Sequence, residues 1–130
     1  MRYKTAILAE IIPEKDYFKI MSETKISKAI ADMITKEFAD ELFIDRHQCG
    51  ILRVNKRYIH LGQKGWPDRL GFVKAGKYAG KFIGIEVKTT EGKQSEKQVE
   101  FQKLCELAGC IYLLVDSVED CREKLKEVLR

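Results

Sequence analysis

No apolar run in this chain approaches the ~18 residues that would suggest a membrane-spanning helix. Residues 1–21 carry Lys4, Glu10, Glu14, Lys15, Asp16 and Lys19 and have no apolar stretch ending in small residues, so they do not read as a secretory leader. The four cysteines, Cys49, Cys105, Cys110 and Cys121, form no C-x-x-C pair and have no histidine at a companion spacing. That argues against zinc and for reduced thiols, buried or half-buried, in a cytoplasmic protein. There is no internal repeat, low-complexity segment or linker. One compact domain is the natural reading of 130 residues.

Acids are scarce in one place only. Residues 46–81 hold nine Lys or Arg and a single acid, Asp68, for a net charge of +8, whereas residues 1–45 and 82–130 each carry −2. The excess comes from Arg46, Arg53, Lys56, Arg57, Lys64, Arg69, Lys74, Lys77 and Lys81, and both histidines, His47 and His60, lie in the same segment. A local field of this kind attracts a phosphate backbone, although a solvated lysine-rich surface is the plainer account of a basic segment by itself.

The apolar pattern alternates between helix and strand. Residues 1–21 read as an N-terminal extension, with Pro13 ending a short element over Ala6–Ile12. Ile26, Ala29, Ile30, Met33, Ile34 and Phe38 recur at helical spacing, so a helix is expected from about Ser22, its N-cap, to Phe38. Short β-like runs follow: Leu42–Ile44, Ile51–Val54, a tight turn at Asn55-Lys56, then Arg57–Leu61. Pro67 biases Trp66 away from helical angles, and Asp68 opens an extended segment reaching Val73. Lys74–Gly80 reads as a hairpin connection and Phe82–Thr89 as a strand. Ser95 caps a helix that Gly109 stops, Cys110–Val115 is a buried strand, and Ser117 with Asp120 caps a last amphipathic helix. The expected architecture is α/β, a mixed sheet flanked by helices in a single domain.

Two carboxylates stand out against this background. Asp68 follows Pro67, and eighteen residues later comes Glu86-Val87-Lys88. Strand alternation puts Glu86 and Lys88 on one face with Gly84, which adds no bulk beside them. Magnesium takes hard oxygen ligands and keeps several waters, so one or two carboxylates and a substrate phosphate suffice to hold it. A nearby lysine can orient a water and neutralise charge on the phosphate. Taken separately, Asp68 and Glu86 are better read as ion-pair partners of neighbouring bases; Lys88 on the same strand face and the positive segment beside them turn the reading toward a metal site. At ~100° per residue, Glu23 projects along the apolar stripe with Ile30 and Ile34, but Glu37 shares that direction, and a first-turn acid can simply complement the helix dipole. Ser95 and Gln98 have the spacing of a capping box.

In combination, Ser22-Glu23, Gly65-Trp66-Pro67-Asp68, Ile85-Glu86-Val87-Lys88-Thr89, Ser95–Gln98, Tyr112–Val115 and Ser117–Asp120 resemble the VRR-NUC (virus-type replication-repair nuclease) domain of the PD-(D/E)xK nuclease superfamily. The resemblance covers about Ser22 to Asp120 and implies a restriction-endonuclease-like fold over residues 22–130. It implies that Asp68, Glu86 and the Val87 carbonyl hold Mg2+ or Mn2+, that Lys88 positions or activates the attacking water, and that Glu23 and Gln98 support the site. It further implies a homodimeric deoxyribonuclease that cuts branched DNA such as four-way junctions, encoded by a phage or mobile element and acting inside the host cell. Arg53, Lys56, Arg57 and Lys64 are the expected nucleic-acid contacts. The alternatives are a nuclease for flaps, single strands or simple duplex, and a non-catalytic DNA-binding module of the same fold.

Overall fold

The structure, a computed structural model, describes the backbone of residues 14–47, 50–61, 64–89 and 92–130, and the side chains of these except 14–21, 50–53 and 59–61. The described elements are α1 (Glu14–Glu37), β1 (Leu42–Arg46), β2 (Gly50–Val54), β3 (Arg57–Leu61), β4 (Arg69–Val73), β5 (Phe82–Val87), α2 (Glu96–Ala108), β6 (Ile111–Val115) and α3 (Val118–Leu129). Four strands form one sheet in the order β1-β4-β5-β6, and β2 and β3 pair separately as a hairpin. β4 runs antiparallel to both of its neighbours, β1 and β5, while β6 runs parallel to β5. Helix α2 makes the crossover that a parallel pair requires. The chain is therefore a single small domain of mixed α/β architecture, as expected. No helix among the described residues is long and apolar enough to cross a membrane.

The first helix corrects the sequence expectation. It spans Glu14–Glu37, and Ser22 is an exposed residue inside it rather than an N-cap. Glu14–Met21 contains no helix breaker, and its first turn, Glu14-Lys15-Asp16-Tyr17, carries two acids that suit a helix start. The expected element over Ala6–Ile12 lies outside the described residues. β5 is also shorter than expected and ends at Val87, because the next two N–H groups find partners outside the antiparallel ladder. Lys88 donates to the Val115 carbonyl at 2.9 Å and Thr89 to Glu23 Oε1 at 3.4 Å.

The main core lies between one sheet face and helices α1 and α3. Ile30, Met33, Ile34 and Phe38 of α1 and its C-terminal edge meet Leu42, Val73, Ile83, Ile85, Val87, Leu113 and Val115 from the sheet and Cys121 and Leu125 from α3. The opposite face is covered by α2, where Phe101 stacks among Trp66, Phe82 and Tyr112 with ring centroids 5.2–6.3 Å apart. The three caps read from sequence for α2 and α3 form: Ser95 and Gln98 make a reciprocal capping box, Gly109 closes α2 in the left-handed region, and Ser117 Oγ accepts from the Asp120 N–H. Cys105, Cys110 and Cys121 are free thiols, and burial pushes Cys121 up to about 12. Cys49 lies outside the described residues.

Phe38 joins these layers. It is 1 % exposed, with the Arg130 guanidinium 4.8 Å from its ring centroid. Phe38→Ala is expected to cost about 3–5 kcal/mol in urea denaturation. A loss below about 1 kcal/mol contradicts this placement of the core.

Candidate active site

Asp68 immediately precedes β4 and Glu86 is the penultimate residue of β5, so the antiparallel pairing of these strands brings the two together. Their contact is reciprocal. The Asp68 N–H donates to Glu86 Oε2 at 3.2 Å, and the Val87 N–H donates to Asp68 Oδ2 at 3.1 Å. Gln98 Nε2 donates to Glu86 Oε1 at 2.8 Å, while Gln98 Oε1 accepts from the Ser95 N–H at 2.8 Å. The capping and site-support readings of Gln98 are thus both realised by one side chain. Among the described residues, no hydrogen-bond donor reaches Asp68 Oδ1.

Two sequence features allow this approach. Gly84 lies on the same strand face as Glu86, and a Cβ there would stand 2.7 Å from Pro67 Cγ. The proline ring occupies the space that the missing side chain leaves. Gly65 adopts φ +88° and lies where a Cβ would meet the Lys97 carbonyl oxygen at 2.6 Å, so the Gly65–Pro67 loop presses on the first turn of α2.

Lys88 reaches the same place. Its Nζ lies 3.8 Å from Glu86 Oε1 and 3.9 Å from Glu23 Oε2. Glu23, from α1, also accepts the Thr89 N–H, so it stands at the end of β5 beside the lysine. Glu37, which shares its direction on the helix, is instead engaged by Arg122 of α3 at 2.9–3.1 Å. Asp68, Glu86, Lys88, Glu23 and Gln98 therefore converge, as the sequence reading expected.

The electrostatics are unusual for a structural ion pair. Glu86 is 1 % exposed. Burial first, and then the Asp68 charge, push its carboxyl up to about 8 despite the opposing effect of Lys88. Burial also raises Asp68, against the Val87 N–H and the positive charges of Lys88, Arg69 and Arg46. The lysine is too distant to relieve both carboxylates. Among the described residues, no group of three or more His, Cys, Asp or Glu is arranged to hold an ion by itself. The chemistry of this donor set nevertheless fits a hard divalent cation, since two close, desolvated carboxylates gain most from a charge placed between them.

The remaining expected residues are not gathered into the carboxylate cluster. Lys64 is exposed in the turn leading to Asp68, and Lys56 and Arg57 are exposed at the tip of the β2–β3 hairpin. The side chains of Arg53 and His60 lie outside the described residues. Trp66 packs on Phe101 and also lies 5.4 Å from the His47 ring. Two supports were missed in the sequence. Arg69 Nε donates to Ser27 Oγ at 2.9 Å and to the Ser27 carbonyl at 3.0 Å, tying α1 to the strand that follows Asp68. Gln94 Nε2 donates to Gln102 Oε1 at 2.9 Å and to the Tyr112 hydroxyl at 3.3 Å, and both burial and Glu86 raise that phenol. A serine at the helical spacing of the apolar stripe was the available signal for the first. The second depends on packing across the sheet.

Because the folded-state pKa of Glu86 is raised, the folded protein holds a proton that the unfolded chain releases. The associated stability is full below the ordinary carboxyl range and is lost as pH rises toward about 8. In chelator, Tm is expected to fall between pH 5 and 8 in the natural chain, on the order of the range that linkage sets, and to fall less in Glu86→Gln. Parallel pH profiles for the two proteins contradict the shift.

No protein-family model, curated protein or solved structure matches this chain.

Proposed function

We propose that this protein is a divalent-metal-dependent DNA endonuclease of restriction-endonuclease-like fold that acts on branched DNA such as four-way junctions, with Asp68, Glu86 and Lys88 at its centre. The observation that carries the reading is the meeting of buried Glu86 on β5 with half-buried Asp68 just before β4, and of Lys88 Nζ 3.8 Å from Glu86 Oε1. Element order supports it as well: a helix, a run of antiparallel strands, then a helix leading into a parallel strand and a final helix. The acid-poor segment flanking Asp68 suits a polyanionic substrate.

Asp68 and Glu86, with the Val87 carbonyl, would hold Mg2+ or Mn2+. The bound ion would polarise the phosphate and make a water more acidic. The chain's own groups do the rest. Lys88, held between Glu86 and Glu23, orients the attacking water and offsets negative charge growing on the phosphate. Gln98 fixes the Glu86 carboxylate, and the Val87 N–H fixes that of Asp68. Attack at phosphorus with departure of the 3′-oxygen leaves a 5′-phosphate and a 3′-hydroxyl. One such site cuts one strand, so paired incisions call for two copies, which a two-fold dimer provides.

Labelled duplex, flap, fork and four-way junction, each with Mg2+ or Mn2+, test this reading. The four-way junction is expected to be cut fastest. Asp68→Asn and Glu86→Gln are expected to lower the rate by at least about a hundredfold while junction binding persists. Unchanged cleavage by either variant, or in excess chelator, contradicts the proposal.

A further inference from the structure

The β2–β3 hairpin forms a two-stranded sheet of its own, separate from the four-stranded one. It leaves the sheet between β1 and β4, and its strands pair with each other over Gly50–Val54 and Arg57–Leu61. Neither strand is hydrogen-bonded into the four-stranded sheet. An isolated two-stranded ribbon is marginal in water, so an arm of this kind calls for something to lie against. Its root is at the site: the His47 N–H donates to the Asp68 carbonyl at 2.7 Å, and Arg46 pairs with Arg69 at the end of the sheet. Its tip is the turn Asn55-Lys56, with both residues in the left-handed region (φ 48° and 65°), the geometry of a tight hairpin turn.

Chemistry singles out the occupant. Residues 47–67 contain Arg53, Lys56, Arg57 and Lys64 and no acid. Lys56, Arg57 and Tyr58 are consecutive and exposed at the tip, so the end of the hairpin presents two cations and an aromatic ring. Phosphates attract the cations, and sugars or bases offer the ring a flat surface. At about 3.3 Å per residue, five-residue strands carry the tip roughly 16 Å from the root. That is about half a turn of B-form duplex.

We propose that the β2–β3 hairpin is a DNA-gripping arm whose tip, through Lys56, Arg57 and Tyr58, holds backbone phosphates about five base pairs from the bond presented to Asp68 and Glu86. This rests on the nuclease reading and adds where the substrate is held. The arm fixes the distance between grip and cut, so it acts on affinity and on the position of incision, while the carboxylates act on rate.

The test uses the full chain with a labelled duplex and a labelled four-way junction, in EDTA so that binding is read without cleavage. Lys56→Gly/Arg57→Thr removes both charges, and the resulting Asn-Gly turn keeps the hairpin geometry. It is expected to weaken binding at least about tenfold and to lower the salt slope of log K by roughly 2, with Tm unchanged. Neutral methylphosphonate linkages placed about five base pairs from the cut are expected to weaken the natural chain and not the variant. Unchanged affinity and slope overturn the proposal. So does a variant that dissociates from dimer to monomer in sedimentation while its DNA affinity is preserved, because the arm is then a contact between copies. Absence of metal-dependent cleavage in the natural chain overturns the nuclease reading instead, and leaves these binding measurements to judge the arm separately.

Discussion

Two carboxyl groups forced together away from water set the terms for this structure. Asp68 stands just before β4 and Glu86 lies on the neighbouring antiparallel strand β5, and each accepts a backbone N–H from the other's vicinity. Burial raises both, the Asp68 charge raises Glu86 further, and Lys88 compensates only in part. Such an arrangement works against stability, and the surrounding residues exist to maintain it. Pro67 against Gly84 lets the strands' side chains close up, Gln98 restrains Glu86 from above, and Ser95 restrains Gln98 through the helix cap. A helix cap, ordinarily a local device, here fixes the rotamer of a buried acid.

The apolar core and the polar site occupy opposite faces of the same strand. Ile83, Ile85 and Val87 anchor β5 against α1 and α3, and that anchoring holds Glu86 on the other side. α1 contributes to both. Ile30 and Ile34 enter the core, Ser27 ties down Arg69, and Glu23, further toward the N-terminus, meets Lys88 at the end of β5. The basic hairpin begins at Gly50, four residues after β1's last pairing with β4, so the positive segment follows closely on the strand that flanks Asp68. Opposite charges separated in this way suit a polyanion held by one and attacked at the other.

Much of this was legible because the signals were local. Alternation along Phe82–Lys88 put Glu86 and Lys88 on one face, Asn55-Lys56 marked the tight turn, and Ser95, Gly109 and Ser117 marked the ends of helices. The start of α1 was misread because a serine before an apolar stripe imitates a cap, while the described helix already runs through Glu14–Met21. Ser27 with Arg69, and Gln94 with Tyr112, were illegible for a different reason. Their partners lie 42 and 18 residues away, and only the packing of helices on the sheet brings them into contact. The separation of the hairpin from the main sheet is likewise tertiary, since its strands look no different in sequence from those that join the core.

The pair of raised carboxyl groups is most directly tested by calorimetric titration of Mn2+ into the natural chain and Asp68→Asn. Saturable uptake that releases protons near pH 7 in the natural chain, where Glu86 with a pKa of about 8 is still largely protonated, and its loss in the variant, are the expected results. Heats indistinguishable from dilution in the natural chain, or equal uptake by both proteins, would contradict a cation site built on Asp68 and Glu86.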